Sequence, residues 1–226
     1  MDSLEKAVST VTSGSDSSSG AVSALLSNDE IIDGLKEALT AGVRSAVDLL
    51  GQDGGFLNDA DVKIPMPDSL NMVEKGLRTA GQDAIADEFI DTMNHAAENA
   101  VPVATDIFVD AVKAMSVEDA ENILNGPDDA ATQYFRKYGE AKLTDAMRPL
   151  VEAATDKVGL TAQYKALTAN LGLLSGLVDT SSLDLDGYVT SKSLDGLFLK
   201  IAEEEKRIRT DPVARTTDLL QKVFGS

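Results

Sequence analysis

The run from residue 194 to 224, LDGLFLKIAEEEKRIRTDPVARTTDLLQKVF, constrains the fold more than any other stretch of the chain. Leu194, Leu197, Phe198, Ile201 and Ile208 recur at helical spacing and draw one apolar stripe along an α-helix. Glu203 stands four residues before Arg207 and Glu205 four before Arg209, the favourable Glu-first order, on the face the stripe leaves to water. Asp211-Pro212 then stops this helix and starts another, with Asp as N-cap and Pro at the first helical position. Val213, Thr216, Thr217, Leu220 and Phe224 form the inner stripe of that last helix, and Gly225 follows as its C-terminal signal.

The same punctuation runs through the rest of the chain. Asn28 caps a helix over 29–50, with Ile31, Leu35, Leu39, Val43, Ala46 and Leu50 inward. Asp68 caps a helix that Gly81 ends, and 82–100 follows with Ile85, Phe89 and Met93 inside. Pro102 opens a helix to 115 carrying Val103, Ile107, Phe108 and Val112. Ser116 and Asp119 have capping-box spacing, and Asn125-Gly126 closes the short helix they open. Pro127 starts another that closes near Gly139, and 143–158 is helical, with Pro149 kinking or splitting it. A helix over 160–174 and a turn-rich break over 175–182 lead to the helix at 186–209, for which Asp184 or Asp186 is the N-cap. No segment alternates with period two. The expected fold is all-α, a compact bundle of about eight to ten helices with essentially no sheet. It forms a single domain over residues 25–226, behind a flexible Ser/Gly-rich tail or tether at 1–24.

Charge and composition exclude several functions. A net charge of −18 leaves no broad basic face, so nucleic acid is not an expected partner. The acidic surface suits solubility, a basic partner or loosely held cations. The absence of Cys excludes disulfides, thiolate metal sites and a Cys nucleophile. No apolar run approaches the roughly 18 residues of a membrane span, and Met1-Asp2 opens into polar sequence without a cleavable leader. There is no Gly-x-Ser-x-Gly elbow, phosphate loop or dinucleotide fingerprint. The lone histidine, His95, shares a helix face with Asp87 and Asp91, and Glu98 lies one turn on. That is half a metal site, and it reads as a solvated face with a local Asp–His contact. Asp184 to Gly187 resembles the middle of a calcium loop but lacks the bidentate Glu, so an N-cap explains it better. Asp128-Asp129, just after Pro127, complement a helix N-terminus. No catalytic residue, cofactor or metal is therefore expected.

Two features leave room for a ligand. Residues 51–67, GQDGGFLNDADVKIPMP, break the helical pattern yet carry Phe56, Leu57, Val62, Ile64 and Met66, so the segment either packs on the helices or acts as a lid. Phe56, Met66, Met93, Phe108, Tyr134, Phe135 and Phe198 are core residues or, in so Ala-rich a chain, the lining of an apolar pocket.

Four segments together resemble a known bacterial family: 29–38 (DEIIDGLKEA), 55–67 (GFLNDADVKIPMP), 128–136 (DDAATQYFR) and 194–224. The family is catalogued as domain of unknown function four-one-nine-seven, and the resemblance spans about residues 25–225. It implies an all-helical, exported protein of Gram-negative bacteria, in the periplasm or at the outer membrane, and brings no catalytic set. The expected function is non-enzymatic: carriage of a lipid or sterol-like molecule in a cavity between helices lined by the seven residues above. Other envelope transport proteins and a peripheral or tethered membrane association are possible partners. The alternative is an envelope protein-interaction or scaffold module, and after it a metal-binding helical protein centred on Asp91 and His95.

Overall fold

The computed structural model describes residues 28–157 and 184–211. Its helices are α1 (Asn28–Leu50), α2 (Asn71–Thr79), α3 (Asp83–Ala100), α4 (Ala104–Lys113), α5 (Val117–Leu124), α6 (Ala130–Lys157) and α7 (Leu185–Thr210). Single 3-10 turns at Asp68–Leu70 and Val101–Val103 lead into α2 and α4. The described residues contain no strand, so the chain is all-α. The tail at 1–24, the helix at 160–174, the break at 175–182 and the helix after Pro212 lie outside the described residues.

The helices are fewer among these residues than the eight to ten expected, and α6 supplies one reason. It runs unbroken through both Gly139 and Pro149, where two helices were expected. A glycine inside a helix costs only about 1 kcal/mol relative to alanine. Here the backbone at Gly139 lies against the Phe108 ring, which a Cβ would meet at 3.6 Å, so packing overrides the local stop. The cap expected at Asp68 is also absent: Asp68 is the first residue of a 3-10 turn, and neither that turn nor α2 has a side-chain cap, whereas other signals hold. Ser116 and Asp119 form a reciprocal capping box at the start of α5. Asp184 caps α7 by accepting the Gly187 N–H, and α7 ends at Thr210, just before Asp211. Gly81, at φ +72°, closes the turn after α2 in the left-handed region that favours glycine.

α7 packs on α6, α1 and α3. Its buried set therefore exceeds one stripe. Val189, Leu194, Leu197, Phe198, Ile201 and Ile208 are joined by Gly196, Lys200 and Glu205. In the core, Phe108 of α4 meets Phe135 of α6 edge-on at 4.9 Å between ring centres and Phe198 of α7 at 6.0 Å. Each such contact contributes about 0.5–1.5 kcal/mol beyond the area it buries.

Candidate functional site

Residues 51–67 form a packed wall. Phe56, Val62, Ile64 and Met66 are buried. Two α3 side chains one turn apart hold the segment by its backbone. The Asn94 amide accepts from the Ile64 N–H (2.8 Å) and donates to the Ile64 carbonyl (2.9 Å). Glu98 Oε1 accepts from the N–H groups of Phe56 (3.0 Å) and Leu57 (3.1 Å). Two residues of α7 hold it from the other side. Lys200 Nζ pairs with Asp59 at 2.8 Å, and the Tyr188 hydroxyl donates to the Pro65 carbonyl. The Lys200 hydrogen bond holds the Asp59 carboxyl below its ordinary pKa. Burial pushes the Lys200 ammonium down, but its hydrogen bonds to Asp59 and Glu203 outweigh that and leave its pKa raised. Gly196 of α7 completes the fit, since a Cβ there would lie 2.8 Å from the Phe56 ring and 3.1 Å from Val62 Cβ.

His95 turns to Glu98 and Asp53, away from the Asp91 partnership that the spacing suggested. Its Nδ1 lies 2.7 Å from Glu98 Oε2 and 3.6 Å from Asp53 Oδ1. Glu98 is buried, whereas His95 and Asp53 are open to solvent.

A second buried carboxylate works at the start of α6. The expected cap came from Asp128-Asp129. The side chain that reaches the free N–H groups is Glu205 of α7, which accepts from Ala131 (2.9 Å) and from both the N–H and hydroxyl of Thr132 (2.9 Å each). Arg209 neutralises Glu205 at 2.9 Å and donates to the Ile123 carbonyl at the end of α5. The expected Glu203–Arg207 pair is replaced by Lys200–Glu203 and Glu204–Arg207.

Along the seam of α6, α7 and the 51–67 wall lies an open groove of about 490 Å³. Val62, Gly196, Phe198, Leu199 and Ala202 give it apolar surface. Asp61, Asp129 and Asp195 line it together with Lys63, Arg136 and Lys192. The Arg136 guanidinium sits 4.3 Å over the Phe198 ring. A smaller hollow of about 210 Å³ between α6 and α7 adjoins it at Asp195 and includes Thr144, Arg148 and Thr190.

Phe56, Met66, Met93, Phe108, Tyr134, Phe135 and Phe198 all join one apolar cluster. Phe108, Tyr134, Phe135 and Phe198 meet ring to ring, and Phe198 also borders the groove. No local pattern marks Glu98 or Glu205 as a cross-fold backbone acceptor, because each accepts from residues 41 to 74 positions away. The one available signal for Glu98 was its position a turn after the lone histidine.

A family model described as "Protein of unknown function (DUF4197)" matches residues 25–225. No curated protein and no solved structure matches the chain.

Proposed function

The chain belongs to that family, whose description assigns no activity, and we propose that it is a non-enzymatic interaction module of the cell envelope. Its docking face is the α6–α7 groove, and its occupant is a net-basic polypeptide segment with an apolar anchor residue. The observation that carries this reading is an open groove with apolar surface, walled by a pinned segment, in a chain of net charge −18. The field of so acidic a chain draws basic partners from beyond contact distance and raises their association rate. Asp61 and Asp129 offer landing points for Lys or Arg, and Asp195, which pairs with Lys192 at 3.7 Å, can exchange that partner for one on the segment. Leu199, which is 40% exposed, and the edge of Phe198 offer an apolar seat. Lys63, Arg136 and Lys192 set register, since a purely polycationic segment would meet them unfavourably. The envelope location rests on the family resemblance.

Carriage of a lipid or sterol-like molecule draws its support from Phe198, the aromatic that both joins the core cluster and borders the groove. One experiment separates the two readings. A photo-crosslinking side chain is placed at Leu199 in the intact chain, with Met72, 61% exposed on α2, as the control position. Crosslinking is carried out in Gram-negative cells. The expected result is a discrete protein adduct from position 199 alone, weakened by Asp129→Lys or Asp195→Lys and lost at about 0.5 M salt. A lipid-sized adduct at 199 would favour the carrier. Equal protein adducts at both positions would contradict the groove as docking face.

A further inference from the structure

We propose that Asp53, His95 and Glu98 form a binding site for a divalent transition-metal ion of the zinc type. The site is separate from the groove and independent of its proposed function. Its three ligand atoms are His95 Nδ1, Glu98 Oε2 and Asp53 Oδ1, which sit at 2.7 and 3.6 Å from Nδ1 to the two oxygens. Neighbouring ligands around a tetrahedral ion lie about 3.3–3.6 Å apart, given bonds of about 2.0–2.2 Å; the Asp53 separation already matches, and the 2.7 Å His95–Glu98 hydrogen bond opens by about 0.6 Å when the ion replaces its proton. All three side chains offer ligand atoms within 4.8 Å of one another.

Electrostatics points to a cation independently of this spacing. The Glu98 side chain is 5% exposed, and among the described residues no Lys or Arg pairs with it. Buried charges are ordinarily paired or metal-bound. Here a second carboxylate, Asp53, approaches the same imidazole nitrogen and adds to the unbalanced negative charge. The outer hydrogen bonds fit a ligand as well. Glu98 Oε1 is fixed by the Phe56 and Leu57 N–H groups, which leaves Oε2 aimed at His95. Such support orients a metal-bound carboxylate. When metal binds, it takes the Nδ1 lone pair, the ring proton resides on Nε2, and water fills the remaining positions.

The test is zinc titration calorimetry on the full chain after chelator treatment, together with ¹⁵N NMR of its lone imidazole. His95→Ala and Asp53→Ala are the site variants and Asp91→Ala the control, each checked for helicity. One zinc should bind through Nδ1, with affinity falling at least about tenfold in each site variant and unchanged in the control. No binding at about 1 mM zinc, coordination through Nε2 alone, or binding that all three variants retain would overturn the site. The last outcome would signify diffuse attraction to an acidic surface. The NMR readout on the unmodified chain decides the matter even if a variant fails to fold.

Discussion

Glu98 and Glu205 are buried carboxylates that do the same backbone work under different electrostatic terms. Each sits on a helix and accepts from two consecutive N–H groups far away in sequence: Phe56 and Leu57 for Glu98, Ala131 and Thr132 for Glu205. Glu205 has a guanidinium beside it, Arg209, which is itself only 13% exposed and also ties down the end of α5. Glu98 has an imidazole and a second carboxylate. The first arrangement is electrically closed and reads as architecture, locking α5, α6 and α7 together. The second holds the 51–67 wall equally well but leaves negative charge facing a solvent-accessible nitrogen. A carboxylate's geometry towards the backbone therefore does not reveal its role, whereas its counter-charge does.

Removing charge without changing shape separates the two most sharply. Glu205→Gln breaks the buried ion pair with Arg209 and removes the charge that the Ala131 and Thr132 N–H groups meet, and should cost about 3–5 kcal/mol in urea unfolding. Asn94→Ala strips the Ile64 N–H and carbonyl of their partner while leaving Glu98 in place, and should cost about 2–3 kcal/mol. Glu98→Gln keeps an oxygen for Phe56 and Leu57 and strands no fixed cation, so about 1 kcal/mol is expected. A Glu98→Gln cost equal to that of Glu205→Gln would erase the distinction.

The smallest effect is on the pH profile. The Gly187 N–H, with Arg148 in support and burial opposing, holds the Asp184 carboxyl below its ordinary pKa. Lys200 does the same for Asp59. Carboxyls depressed in the folded state contribute fully above their unfolded value of about 3.9 and lose that contribution as pH falls through the lower folded values. The raised Lys200 contributes fully below its unfolded value of about 10.4 and loses that contribution as pH rises through the folded one. Urea midpoints should thus fall at both extremes. Asp184→Asn, an equally good cap, should soften the acid limb and change neutral stability by no more than about 0.5 kcal/mol.

Local signals were legible in the sequence and remote ones were not. The stripe of Leu194, Leu197, Phe198, Ile201 and Ile208 is buried as the spacing required. The Ser116–Asp119 box stands where short-range chemistry put it, and of the two candidates Asp184 and Asp186 the cap is Asp184. Gly139 misled because a helix stop is a weak preference that contact with Phe108 overrides. Glu205 misled differently. Its spacing to Arg209 was right, but a Glu-first pair reads as solvent-facing unless a neighbouring helix is known to cover it, and α6 covers this one. For residues 51–67 the apolar content left packing and lid both open. What decides between them is Asn94 and Glu98 on α3 and Lys200 and Tyr188 on α7, whose reach to the segment no local pattern encodes.

The preformed groove depends on that wall, so the most direct measurement is native-state hydrogen exchange at the Phe56, Leu57 and Ile64 amides, whose acceptors are Glu98 and Asn94. Protection close to that of the α6 and α7 core amides, with opening near the global unfolding free energy, is the predicted result. Fast exchange at these three amides while the helices stay protected would make 51–67 a lid and contradict the fixed wall.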